Sequence, residues 1–188
     1  MPHISLRACA LLLFTSVGVY AVAHIRPHAV TTTQRRDPVY AGMVGRWQGT
    51  LEVRDSAGVS GRRRHPTQVR VSADPKSDAL EMHVTTRDGR REMNDTDHLQ
   101  LDTALTTARW GGMGSTPMQV YDVRVADSLT AHSPLRIVLE RAPDCDSLAA
   151  TIRETVTIAP GRIRITQEQK GSSGSYEFRR EFVLRRVG

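Results

Sequence analysis

From Gly45 to the end of the chain, apolar residues return at every second position, not at every third or fourth. Trp47, Gly49, Leu51 and Val53 share one face, while Gln48, Thr50, Glu52 and Arg54 take the other. The same alternation runs through Val69 and Val71, then Leu80, Met82 and Val84, then Leu99 and Leu101. It continues in Leu135, Ile137 and Leu139, in Ile152, Val156 and Ile158, in Ile163 and Ile165, and in Tyr176, Phe178, Phe182 and Leu184. Side chains of an extended chain point to opposite faces in turn, so this period predicts antiparallel strands with one face on a core and one in water. Asp88-Gly89 and Pro160-Gly161 read as tight turns, and Gly111 to Pro117, Ser128 to Pro134 and Gly171 to Ser175 as loops. About nine or ten strands with one apolar face each bury that face by closing into a barrel or stacking as a sandwich. The only helix expected is a short N-terminal turn over Pro38 to Val44, with Asp37 as its N-cap and Pro38 at its first position.

A chain of 188 residues, 39% hydrophobic and 24% charged, fits one domain and excludes wholesale disorder. Two cysteines are too few for a disulfide-stapled scaffold or a cysteine-rich zinc module. The net charge is +6, carried almost wholly by arginine, since Lys76 and Lys170 are the two lysines. Such a balance favours acidic partners. The arginines are nevertheless spread along the strands at outward positions, so nucleic acid is not the expected partner. The one tight run, Arg62 to Arg64, reads as a solvated loop.

Residues 8–23 carry no charge and follow Arg7. That run is shorter than the ~18 residues a spanning helix needs, and Ala21-Val22-Ala23 has the form of a signal-peptidase site. The expected organisation is a signal peptide at 1–23, a flexible leader at 24–36 and one barrel domain at 37–188. The mature chain would be secreted or periplasmic with no transmembrane span, the alternative being an uncleaved N-terminal membrane anchor. Cleavage would remove Cys9 and leave Cys145 alone beside Asp144 and Asp146, a poor setting for a thiolate.

Gly45-Arg46-Trp47-Gln48-Gly49, reached from a short helical turn, resembles the entry to the calycin barrels, closest to the bacterial lipocalin-like domains of unknown function. The resemblance implies a single lipocalin-like antiparallel barrel. It also implies that Trp47 lies across the closed end, with an arginine of the last strand packed over it. Arg186, in phase with Leu184, is the choice over Arg185. Gly45, Trp47, Gly49 and Arg186 are thus structural positions. No threonine-aspartate second motif of the lipocalins is found, and no C-terminal helix is expected after the last strand.

Three polar residues fall on apolar faces. Glu154 is in phase with Ile152, Val156 and Ile158, Gln167 with Ile163 and Ile165, and Arg180 lies between Phe178 and Phe182. On three successive strands they would lie side by side, and a carboxylate inside an apolar barrel must be paired or protonated. They are candidate anchors for a ligand's carboxylate or hydroxyl, with Arg109 added at the barrel mouth. No G-x-S-x-G, H-E-x-x-H, C-x-x-C or phosphate-binding glycine loop is present. His65, His83, His98 and His132 have no metal-ligand spacing, and the late strands have no histidine to ligate haem. The expectation is an exported, non-catalytic barrel, without cofactor or metal, holding a small hydrophobic or amphipathic ligand. The alternative is an envelope-associated protein whose basic outer surface binds anionic polymer, lipid or protein.

Overall fold

A computed structural model describes residues 33–55, 61–74, 76–112, 118–127, 134–141 and 151–188. The expected signal segment, residues 24–32 of the leader, most of the loop Ser128 to Pro134, and Cys145 lie outside the described residues. A helix α1 (Thr33–Met43) is followed by strands β1 (Gly45–Arg54), β2 (Arg62–Asp74), β3 (Ala79–Asp88), β4 (Arg91–Leu101) and β5 (Thr107–Gly112). Then come β6 (Gln119–Asp127), β7 (Leu135–Arg141), β8 (Ile152–Ala159), β9 (Arg162–Lys170) and β10 (Tyr176–Arg186). Every strand pairs with its sequence neighbour, and β1 pairs with both β2 and β10, which closes a ten-stranded antiparallel barrel. Closure leaves no strand edge to protect.

One end of the barrel is sealed by packing. In α1, Val39 and Met43 are fully buried, and the helix runs so close to β8 that a Cβ on Gly42 would sit 2.6 Å from Ile158. The Tyr40 hydroxyl accepts from the Leu101 amide at 3.1 Å and donates to the Asp78 carbonyl at 3.1 Å, tying the helix to β4 and the β2–β3 turn. Trp47 donates its indole N–H to the Met43 carbonyl at 2.7 Å. The Arg186 guanidinium lies 4.5 Å from the Trp47 ring centroid and donates to the Val44 and Gly42 carbonyls at 3.0 and 3.1 Å. Each glycine of the entry motif has its own reason. Gly45 adopts φ 143°, and a Cβ on Gly49 would fall 1.9 Å from the Val183 carbonyl oxygen, so β1 and β10 approach more closely there than a side chain permits.

Three local expectations are corrected. The helix starts at Thr33, inside the expected leader, and runs through Pro38 instead of beginning there. The arginine run is not a loop: Arg62 to Arg64 open β2 opposite Arg54 to Glu52. Arg62 and Arg64 clasp Glu52 at 2.9 and 2.7 Å and hold its carboxyl below the usual range. Third, Tyr176 and Phe178 do not face inward. A bulge between Phe178 and Arg180 inserts one residue, so Arg180 stands opposite Gln167 but Phe178 opposite Glu168 and Tyr176 opposite Lys170. One extra residue exchanges the faces of everything before it. Outside the barrel the two rings are covered by arginines, Arg62 at 3.9 Å over Phe178 and Arg153 at 3.7 Å over Tyr176.

Candidate functional site

The interior is not apolar throughout. On β8, Glu154 follows the inward period set by Val156 and Ile158 and is 3% exposed. Gln167 of β9 is directly opposite it, and Arg180 of β10 directly opposite Gln167, so the three form one cross-barrel row. Gln167 Nε2 donates to Glu154 Oε1, and Arg180 Nη2 lies 4.0 Å from the same oxygen. Arg180 enters this row by continuing the inward phase of Leu184 and Phe182, and the bulge just before it sends Phe178 outside.

The sequence reading missed two charged members of the interior. Asp97 on β4 lines the same cavity as Glu154, Gln167 and Arg180. Its signal was present, since it lies two residues before the inward Leu99. Arg141 continues the inward phase of Ile137 and Leu139 and stands opposite Ile152, two residue pairs further toward the mouth than Glu154. Its Nη1 donates to Gln119 Oε1, while its Nε is buried without a partner among the described residues. Arg109, by contrast, does not belong to the interior. It is exposed on β5 between the inward Ala108 and Trp110, because the strand alternation turns it to the outer face.

Burial dominates the electrostatics. Desolvation pushes the Glu154 carboxyl up to about 7, with Asp97 adding to the rise and Arg180 and the Gln167 hydrogen bond opposing it. Burial also raises Asp97, against the pull of Arg180 and a hydrogen bond from the Trp110 indole. The Tyr121 hydroxyl is pushed up to about 12, mainly by burial and then by Glu154. Two carboxylates therefore share one nearby guanidinium, and a proton on Glu154 is held near neutrality. The cavity they line is walled by Val69, Met82, Trp110, Ile165, Phe182 and Leu184, and its free space is about 20 Å³, enough for one or two waters. Arg180, with 38% of its side chain exposed, lies between this space and solvent.

Such a site can hold a polar group and exchange a proton with it. Among the described residues, no group of three or more His, Cys, Asp or Glu converges to hold a metal ion. No described helix is long and apolar enough to cross a membrane. No protein-family model matches the chain, and no curated protein matches it.

Proposed function

We propose that this chain is an exported, non-catalytic calycin-like barrel whose interior binds a small amphipathic molecule, polar end inward. The observation that carries the reading is the inward row Glu154–Gln167–Arg180, joined by Asp97, lining an otherwise apolar cavity. A barrel needing only stability would do as well with apolar residues there, because a buried ion pair adds little net stability over well-packed hydrophobic ones. Polar groups converging within an apolar cavity fit ligand orientation. Glu154 and Gln167 offer an acceptor and an amide to a hydroxyl, and Arg180 offers unoccupied donors to a carboxylate or carbonyl.

The small free volume sets the terms of entry. The ligand's polar end replaces the cavity water, and its body takes the space opened when the half-exposed Arg180 side chain swings outward. The ligand is therefore small, and its recognition is carried by hydrogen bonds more than by buried area. The export half of the proposal rests on residues 8–23 and the Ala21-Val22-Ala23 site. Native mass spectrometry of the purified protein, followed by titration of candidate alcohols and acids, tests the binding half. A bound mass that disappears in Arg180→Met supports it. A barrel with no co-purifying and no titratable small molecule refutes it.

A further inference from the structure

The arginines of the outer face fall into two groups. Nearer the mouth many are neutralised: Arg62 and Arg64 share Glu52, Arg153 holds Glu168 at 2.7 Å, and Arg124 holds Glu140 at 2.6 Å, while Arg90 and Arg91 at the β3–β4 turn are exposed without a carboxylate partner among the described residues. Toward the closed end, on β9, β10, β1 and β2, the pattern reverses. Arg46 of β1 stands directly opposite Arg70 of β2, and Arg185 of β10 directly opposite Arg162 of β9. All four are exposed, and among the described residues none forms an ion pair with a carboxylate. Like charges directly across a strand pair are destabilising, so two such pairs on one face cost stability that the fold does not recover internally. Between them lie Gln48 and Gln68, and beside them the exposed Val183 and Val187, 42% and 45% exposed.

We propose that this face is a docking surface for an anionic phospholipid membrane, with Arg46, Arg70, Arg162 and Arg185 on the lipid phosphates and Val183 and Val187 against the acyl boundary. Guanidinium forks match phosphate oxygens in pairs, and the four span about 14 Å across three strand spacings, a width that meets several headgroups at once. The two valines distinguish a lipid surface from a soluble polyanion, which offers them nothing apolar. Among the described residues this face also has no exposed aromatic ring on which nucleic-acid bases could stack. The proposal is independent of any ligand in the barrel interior.

The test is co-sedimentation of the full chain with vesicles of phosphatidylcholine alone and of phosphatidylcholine with phosphatidylglycerol. The readout is the ratio of the two partition constants, because binding through the charge-free run at 8–23 affects both vesicles alike. One variant carries Arg46→Gln, Arg70→Gln, Arg162→Gln and Arg185→Gln; a charge-matched control carries Arg87→Gln, Arg90→Gln, Arg91→Gln and Arg109→Gln. At about fivefold per arginine, the first variant should lose a factor on the order of a hundred or more in that ratio, while the control keeps most of it. Raising the salt should lower the wild-type ratio and leave that of the first variant nearly unchanged. A wild-type ratio near one, or an equal loss in the control, overturns the proposal. So does tight wild-type binding to heparin without preference for the anionic vesicles, which would assign the arginines to a soluble polyanion. Circular dichroism checks that both variants remain folded.

Discussion

The two ends of this barrel use arginine in opposite ways. At the closed end Arg186 stays in water, stacks on Trp47 and donates to two helix carbonyls, so its charge serves packing and needs no carboxylate. Toward the mouth Arg180 reaches inward to Glu154 and Asp97, two acids raised by burial, with donors left over. The first arrangement resolves every polar group and gives rigidity. The second leaves a proton and a set of donors in play, which rigidity alone does not require. Arginine over an aromatic ring is thus a structural device, and arginine between two desolvated acids a chemical one.

Substitutions sharpen that contrast. Trp47→Ala removes the largest fully buried side chain and the cap on Met43, and should cost about 4 kcal/mol, read as a fall of roughly 10 °C in the melting temperature. Gly49→Ala should follow at about 3 kcal/mol, because the added methyl meets the β10 backbone and one strand must shift. A melt of either variant within 2 °C of wild type, a margin of roughly 1 kcal/mol or less, would break the picture of a tightly packed closed end.

The mouth-side cluster should respond to pH instead. The Glu154 carboxyl is raised in the folded protein, from 4.5 to about 7, so its contribution to stability is complete below pH 4.5 and is lost as pH rises through 7. Between pH 5 and pH 8 the wild type should lose on the order of 3 kcal/mol from this group. Glu154→Gln should abolish that slope, melting close to wild type at pH 5 and several degrees above it at pH 8. The half-exposed Arg180 can turn to solvent when its partner is neutral. A variant that instead melts lower than wild type at pH 8 would make Glu154–Arg180 a stabilising ion pair and remove the case for a ligand anchor. The carboxyls of Glu52, Asp102 and Glu140 are lowered, so their contribution disappears at the acid end, below about pH 4, and stays separate from this window.

The smallest effect belongs to Arg186→Gln. It keeps one donor for the helix carbonyls but loses the stacked charge, and should cost about 1 kcal/mol. Equilibrium urea unfolding resolves this, and an effect as large as that of Trp47→Ala would mean that the arginine, not the ring, holds the closed end.

The alternation of Trp47, Leu51 and Val53, or of Ile163, Ile165 and Gln167, is enough to set strand class and inward faces, and so to put Glu154 and Gln167 on the inner face of successive strands, because a period of two survives whatever the strand packs against. The same rule applied two residues before Leu99 on β4 and two residues after Leu139 on β7 reaches Asp97 and Arg141; expecting inward positions to be apolar hid them. Other features were not local properties at all. The bulge before Arg180 is visible only once β9 supplies a register, and it decides that Phe178 lies outside although it alternates in sequence with the inward Arg180 and Phe182. The opposition of Arg46 to Arg70 likewise follows from how β1 meets β2, and that of Arg162 to Arg185 from how β9 meets β10. Local alternation is written in the sequence because it depends on one chain's own geometry. Register, and with it which charges meet, depends on two strands at once, and only tertiary structure decides it.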